Sequence, residues 1–133
     1  MRKIIFAILA MATTSLLAQF SIAAEGESIP TAVRKYIEDK SRATGTFDVY
    51  DPEIGKTRML SLIRLNSNIG KSGERYYSSA DFKDMETAET VELDFDVDAK
   101  NGKTSVIQAR IRKVGGKERY TYDENNNMIP VLR

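Results

Sequence analysis

Apolar and polar residues alternate along most of the chain that follows Gly45, and this period of two is the strongest constraint on the fold. The clearest stretch is residues 91–98, in which every second residue is apolar and the others are acidic. Successive side chains of a β-strand point to opposite faces, so this pattern is typical of a half-buried strand. Turn residues separate this stretch from others with strand-like composition. The sequence predicts strands at residues 46–51, 57–66, 75–83, 90–98, 104–114 and 117–122.

One helix is predicted before the strands, over residues 30–44. Pro30 suits the first turn of a helix, and Gly45 stands where a glycine commonly ends one. One apolar stripe at helical spacing consists of Ile29, Val33, Tyr36 and Ile37. The strands are joined by short connections, which favour antiparallel pairing. We therefore expect an α+β fold, with one N-terminal helix packed on a curved, meander-like antiparallel sheet of about five or six strands.

The first 24 residues carry the three parts of a secretory signal peptide. Arg2 and Lys3 precede an apolar stretch over residues 4–12, and small residues follow at 21–24. A permanent anchor is the alternative, but about 20 consecutive apolar residues are needed to span a bilayer, and polar residues interrupt this segment. We expect cleavage after residue 24, one mature domain over residues 25–133 with a loose C-terminal tail, and a periplasmic or extracellular location without a stable membrane anchor.

The chain contains no cysteine and no histidine. These absences exclude thiol nucleophiles, imidazole bases, Ser–His–Asp triads and structural zinc sites of the usual kind. Loss of Arg2 and Lys3 with the signal peptide takes the formal net charge from +1 to −1, which gives no basic surface for nucleic acid. We predict a non-catalytic protein without a cofactor. An enzyme would need a buried acid, for which Asp48 and Asp81 are the candidates.

Two oxygen-rich stretches look at first like calcium loops, residues 94–102 and residues 123–127. In the first, the sixth position is Ala99 instead of glycine and the twelfth is Ser105 instead of glutamate, so the closing ligands are missing. The second ends before a twelfth position exists. We predict no metal site at either one. The first is interpreted as a strand with solvent-facing acids, Asp94, Asp96 and Asp98, and the second as a polar turn carrying Asp123, Asn125 and Asn127.

Residues 58–65 carry apolar side chains on both faces of one predicted strand. We expect Met59, Ile63 and Leu65 to face the helix, which leaves a second apolar face uncovered. That face must meet the tail at residues 128–132, a second subunit or a ligand. The candidate interaction surface consists of Arg58, Leu60, Leu62, Arg64 and Tyr77.

The register of the last strands suggests a second candidate surface. A one-residue slip moves all side chains to the other face, so we prefer a bulged turn near Gly102 that sets Phe95 opposite Ile107. A two-residue turn at residues 115–116 pairs Lys113 with Glu118. This arrangement predicts an exposed anion or acidic-partner patch built from Arg110, Arg112 and Arg119. Ion pairs that control strand register explain the same pattern without a ligand.

The order of elements, a helix followed by antiparallel strands, is similar to the cystatin-like superfold, which also includes nuclear transport factor-like domains. True cystatins inhibit proteases through a Gln-x-Val-x-Gly hairpin, whereas Gln108 is followed here by Ala109 and Arg110. Nuclear transport factor-like enzymes commonly use a histidine or an aspartate in a cone-shaped pocket, and this chain has no histidine. The resemblance implies a fold and transfers no functional residue.

The stretches at residues 77–83 and 116–122 also look like those of small exported bacterial proteins of unknown role. From these observations we predict a non-catalytic binding or protein-interaction module of the bacterial envelope. Its partner is an unidentified protein or a second copy of the chain. The alternatives are a carrier of a small apolar ligand between helix and sheet, and an enzyme based on carboxylates or tyrosines.

Overall fold

The computed structural model describes residues 29–131, which form one helix and a six-stranded antiparallel sheet. The fold is therefore α+β, as the sequence predicts. The predicted signal peptide lies outside the described residues, together with residues 25–28 and 132–133. Within residues 29–131, no helix is both long enough and apolar enough to cross a membrane.

The described part of the helix, α1, covers residues 29–41. The chain leaves α1 through a turn in which the N–H of Gly45 donates to the carbonyl of Ser41 at 2.7 Å, and Gly45 has a positive φ of 82°. Only a residue without a side chain adopts that conformation at little cost. The strands that follow are β1 (Phe47–Asp51), β2 (Lys56–Ser72), β3 (Arg75–Asp84), β4 (Thr90–Asp98), β5 (Ser105–Val114), β6 (Lys117–Glu118), β7 (Tyr120–Tyr122) and β8 (Met128–Pro130).

The six-stranded sheet is a meander in which each strand pairs with the next one in the chain, from β1 to β6. The predicted last strand, residues 117–122, is divided at Arg119 into β6 and β7. β7 leaves the large sheet and pairs with β8, with Tyr120 opposite Pro130 and Tyr122 opposite Met128. Residues 128–130, expected as part of a loose tail, therefore form the second strand of a small hairpin.

The core lies on one face of the sheet, which we call the core face and define by Ala80, Phe82, Leu93 and Phe95. Val33 and Ile37 of α1 are buried in the same cluster, one helical turn apart. Tyr36 contacts Phe47 and Phe95, with ring centroids 6.0 and 6.2 Å apart. Ile29 and Tyr36 are partly buried and pack against this cluster.

β2 is longer than predicted because the Asn-Ser-Asn sequence at residues 66–68 does not end it. The sequence favours a turn there, but the strand continues to Ser72 and turns only at residues 73–74. The pairing with β3 is irregular at two places, between Leu62 and Arg64 and between Leu65 and Ile69. Turn-forming residues in the middle of this strand therefore produce bulges instead of a connection.

The faces of β2 differ from the prediction, and the first bulge brings Leu65 to the same face as Leu60 and Leu62. Leu60 is only 1% exposed and belongs to the core, with Leu62 and Leu65 packed against it. Met59 and Ile63, which were expected to face the helix, are 44% and 55% exposed. Because Ile63 is the extra residue of the bulge, the alternation shifts by one and all three leucines reach the core face. The predicted faces are therefore wrong for residues 59–63, whereas Leu65 packs against the core as predicted.

The predicted register between β4 and β5 is also wrong, by two residues. Phe95 lies opposite Ala109 and Leu93 opposite Ile111, with irregularities on both sides of this segment. A shift of two keeps Ala109 and Ile111 on their expected face, which is why the alternation alone could not detect it. The irregularity between Asp96 and Val97 leaves Ile107, which was predicted on the core side, 40% exposed. The predicted pair of Lys113 with Glu118 across the turn at residues 115–116 is confirmed.

Candidate functional site

A polar cleft of about 520 Å³ opens on the other face of the sheet, which we call the outer face and define by Ser79, Asp81 and Glu92. The second bulge of β2 creates it. Between the pairs Leu65–Ala80 and Ile69–Ser78, β2 has three residues where β3 has only Ser79. Residues 66–68 therefore stand away from β3 and form one wall. Cleft volumes of this size are common for small-molecule sites, and bulges often occur beside them.

Asn66 extends from the bulge over three oxygen acceptors of β3 and β4. Its Nδ2 lies 3.0 Å from Oγ of Ser79 and 3.5 Å from both Oδ1 of Asp81 and Oε1 of Glu92. The two contacts with the carboxylates are at the long limit for hydrogen bonds. The centre of the cleft is therefore rich in acceptors that a single amide group satisfies incompletely.

Glu92 is the most weakly paired carboxylate of the cleft. Its Oε2 is buried and has no hydrogen-bond partner in the described part of the chain, and the nearest cation, Nζ of Lys113, is 3.9 Å away. Burial raises the pKa of the Glu92 carboxyl, and the charges of Asp94 and Asp81 raise it further, against the effects of Arg112 and Lys113. Carboxyl groups with a perturbed pKa are common at functional sites.

Two arginines supply the positive charge of the cleft. Arg64 donates from Nε to Oδ2 of Asp81 at 2.8 Å, and its side chain is 72% exposed, so its terminal amino groups remain accessible. The guanidinium of Arg112 lies over the ring of Tyr122, 5.4 Å from the centroid. Its buried Nε has no hydrogen-bond partner among residues 29–131. Guanidinium groups with free donors suit carboxylate and phosphate groups.

Tyr77 closes one end of the cleft and is held rigidly. Its ring is stacked on Tyr122 with centroids 4.4 Å apart and an interplanar angle of 7°. The hydroxyl end of the ring lies against Gly70, its partner on β2, where an added Cβ atom would overlap the ring. Glycine is therefore required at position 70 for this wall to form.

Beside the cleft, the hairpin of β7 and β8 buries the acids that were expected to face solvent. Asp94 is fully buried and accepts hydrogen bonds from the hydroxyls of Tyr120 and Tyr122, each at 2.8 Å. Asp96 accepts from Nε and Nη2 of Arg110 at 2.9 and 2.7 Å. Burial and the charge of Asp94 raise the pKa of the Tyr122 hydroxyl to about 12. The prediction of a solvent-facing acidic strand is therefore wrong at these two positions.

A second group of charges lies at the end of the core face and forms a buried ion cluster. Arg58, 4% exposed, donates to Oδ2 of Asp51 at 2.7 Å and to Oδ2 of Asp84 at 2.8 Å. Arg119 donates to both oxygens of Asp51, at 2.7 and 3.0 Å. These bonds from Arg119, opposed by burial and aided by Arg58, lower the pKa of Asp51 to about 2. The cluster joins β1 to the segment after β6, although these are the two edges of the sheet in strand order.

The predicted interaction surface does not form one patch. Arg58 is in the ion cluster and Leu60 is in the core, while Leu62 packs against the core. Arg64 and Tyr77 instead meet at the cleft. Both arginines of this strand were predicted to lie on an exposed face, but carboxylates on neighbouring strands allow Arg58 to be buried.

The predicted anion patch is divided in a similar way. Arg110 and Arg119 are bound to Asp96 and Asp51, which neutralise them. Arg112 lines the cleft with Arg64. The structure therefore brings together three residues from the two predicted surfaces: Arg64, Tyr77 and Arg112.

The other residues of the cleft were missed by sequence reasoning. Asn66 stands at the end of the strand predicted over residues 57–66, and Glu92 lies in the acidic strand predicted over residues 90–98. Nothing in the sequence distinguishes the Asn-Ser-Asn at residues 66–68 from an ordinary turn.

The two acids considered for catalysis are not isolated buried groups. Asp48 is exposed and accepts from the hydroxyl of Thr46 at 2.7 Å, and Asp81 is paired with Arg64. Within the part of the chain that the structure describes, no group of three metal-ligating side chains is placed to hold an ion. Asp123 accepts from the backbone N–H groups of Asn125 and Asn127 and so stabilises the predicted polar turn.

No family model matches this chain, and no significant similarity was found to curated proteins or to solved structures.

Proposed function

We propose that this chain is an exported, non-catalytic binding module of the bacterial envelope, and that the cleft on the outer face is its binding site for a small polar ligand. The observation that carries the proposal is the incomplete hydrogen bonding of the cleft. Oε2 of Glu92 and Nε of Arg112 are both buried without a hydrogen-bond partner among residues 29–131, whereas buried polar groups ordinarily have one. Unmet donors and acceptors beside an open cleft are typical of a site that a ligand completes.

A carrier of an apolar ligand between helix and sheet is less well supported. The rings of Phe47, Phe82 and Phe95 pack against one another with centroids 5.7–6.3 Å apart, and Tyr36 of α1 contacts this group. These are ordinary contact distances for packed aromatic rings. Side chains occupy the space that such a ligand would need.

One observation supports a protein-interaction role. Met59 and Ile63 expose apolar surface on the side of β2 away from the core, and Met85 nearby is 56% exposed. Such surface favours a partner or self-association. If it is an interface, Ile63→Asp will lower the solution mass measured by sedimentation or abolish partner capture without changing the melting temperature. Unchanged mass and capture would remove this second candidate.

We also propose that the sheet is curved, in a cystatin-like arrangement around α1. Six strands spaced about 4.8 Å apart would place β1 and β6 roughly 24 Å from each other in a flat sheet. The hydrogen bonds between Arg119 and Asp51 support a sheet whose edges approach each other at this end.

Export is a separate part of the proposal. The sequence of residues 1–24 supports a cleaved signal peptide, so the protein recovered from the envelope of its host should begin at Ala24 or Glu25. N-terminal sequencing tests this. An intact Met1 on protein from that fraction would contradict export by cleavage.

The binding site itself is tested by NMR titration of the mature chain with the dialysable fraction of an envelope extract from its host. We expect shifts at the amides of residues 66–70 and at Nε–Hε of Arg112. The variant Arg64→Ala should weaken these shifts, and Arg42→Ala in the exposed turn after α1 should not. Shifts confined to other parts of the chain, or consumption of a component of the extract, would contradict a non-catalytic site in the cleft.

A further inference from the structure

The cleft carries opposite charges in equal number. Arg64 and Arg112 are its cations, and Asp81 and Glu92 are its anions. Only one contact between these groups is a short hydrogen bond, from Nε of Arg64 to Asp81. The cleft therefore offers free donors and free acceptors to the same ligand.

The acceptors converge on one point. Oxygen atoms of Ser79, Asp81 and Glu92 all lie within 3.5 Å of the Nδ2 of Asn66. An amide nitrogen carries two N–H donors, whereas an ammonium group carries three and a full charge. An ammonium group placed beside Asn66 would satisfy the carboxylates better than the amide does.

The donors are suited to a carboxylate. The planar guanidinium fork binds both oxygens of a carboxylate in parallel, and the exposed end of Arg64 is available for this. A ligand with only negative charge would be repelled by Asp81 and Glu92, with Asp94 behind them. A ligand with only positive charge would be repelled by the two arginines.

The surroundings of Tyr77 do not favour a flat neutral ligand that would stack on its ring. One face of its ring is taken by Tyr122, and its hydroxyl end lies against Gly70. That face of the ring is not available for stacking, whereas charged and hydrogen-bonding side chains make up most of the cleft lining.

We propose that the cleft binds a small zwitterion of the amino-acid type, with its ammonium group at Asp81 and Glu92 and its carboxylate at Arg64 and Arg112. This rests on the proposed binding function and adds the class of ligand.

The test uses the twenty common L-amino acids, each titrated alone into the mature chain, with calorimetry and the amide shifts of residues 66–70 as readouts. For the tightest binder, the N-acetyl derivative and the carboxamide are then compared with the parent. We expect a Kd of about 1 mM or tighter for the parent. Loss of either charge should weaken binding by at least about tenfold, which corresponds to about 1.4 kcal/mol.

Matched variants assign the two halves of the site. Glu92→Gln should weaken binding of the parent amino acid and of the carboxamide but not of the N-acetyl derivative. Arg112→Gln should weaken binding of the parent and of the N-acetyl derivative but not of the carboxamide. Arg42→Gln and Asp39→Asn, which lie in an exposed ion pair on the surface of the protein, are the controls and should change nothing. Unfolding midpoints confirm that the variants are folded.

Two results would overturn the inference. If the N-acetyl derivative binds as tightly as its parent, the cleft is an anion site and the ammonium half is wrong, although the binding module stands. If no amino acid shifts residues 66–70, the ligand is not of this class. The separate titration with the envelope extract then decides whether the cleft binds anything.

Discussion

The buried ion cluster and the cleft are built from the same materials, two arginines with carboxylates on neighbouring strands, but they differ in how completely these charges are paired. In the cluster, Arg58 is 4% exposed and binds Asp51 and Asp84 at 2.7 and 2.8 Å. In the cleft, Arg64 makes one short contact, and the Nε of Arg112 makes none within the described residues. Completeness of pairing, and not residue type, separates a structural charge from one that is available to a ligand.

The physical reason lies in desolvation. A buried charge without a partner costs several kcal/mol, so the cluster persists only because each charge meets its counterpart with good geometry. The open cleft exposes Arg64 to water, which screens its charge and makes its pairing worth about 0–1 kcal/mol. The cluster is therefore expected to control stability, and the cleft is expected to have little effect on it.

The largest expected effect is that of Arg58→Met in the cluster. The substitution leaves Asp84 buried without its cation and should lower the free energy of unfolding by about 3–5 kcal/mol. Arg64→Met in the cleft is the matched control and should change it by about 1 kcal/mol or less, because that pair is exposed. Urea unfolding of both variants measures the difference. Equal losses would mean that the two regions do not differ in the way proposed.

The next effect depends on pH. The folded pKa of Asp51 is depressed to about 2 from 3.8, chiefly by Arg119. Ionised Asp51 therefore stabilises the fold at every pH above about 4, and this contribution is lost as the pH falls from about 4 to about 2. Arg119→Gln removes the main cause, so the variant should be roughly 2 kcal/mol less stable than the wild type near neutral pH.

The gap between wild type and Arg119→Gln should close over the same range, from about pH 4 to about pH 2. Urea midpoints measured at several pH values follow it, with Arg42→Gln as a control that opens no gap. A gap that stays constant down to pH 2 would show that Arg119 acts through packing and not through the charge of Asp51.

The smallest expected effect is an increase in stability, and it comes from Glu92 in the cleft. The pKa of Glu92 is raised, chiefly by burial, so its ionisation opposes folding once the pH exceeds the unfolded value of 4.5. Glu92→Gln should therefore increase stability near neutral pH, by less than about 1 kcal/mol. The gain should vanish below about pH 4, where the wild-type carboxyl is also neutral.

Asp96→Asn is the comparison variant for Glu92→Gln, because both residues lie on the same strand and face. Asp96 accepts two bonds from Arg110 and one from Gln108, so its substitution should lower the free energy of unfolding. Thermal melts of the two variants at neutral pH compare them directly. If Glu92→Gln also lost stability, the carboxylate would be a structural group and the case for a ligand at this position would weaken.

The alternation of residues 91–98 and the stripe on α1 were sufficient to predict the α+β class, the strands in chain order and the turn that pairs Lys113 with Glu118. The residues of the candidate site were only partly predictable. Arg64, Tyr77 and Arg112 attracted attention as charges and aromatics on strands, but two separate surfaces were assigned to them. Asn66 and Glu92 carried no signal that distinguished them from a turn residue and a surface acid.

What the sequence determined by itself is local: a period of two specifies a strand, a period of 3.6 specifies a helix, and glycine at a positive φ specifies a turn. The tertiary structure decided which face of β2 is buried, where the bulges fall and which charges are paired. A bulge at Ile63 reverses the alternation for the rest of the strand. The burial of Arg58 depends on Asp84, and the pairing of Asp51 depends on Arg119, 68 residues away. Periodicity is a property of neighbouring residues, whereas register and charge pairing are set by contacts between distant strands, and these form only when the sheet is assembled.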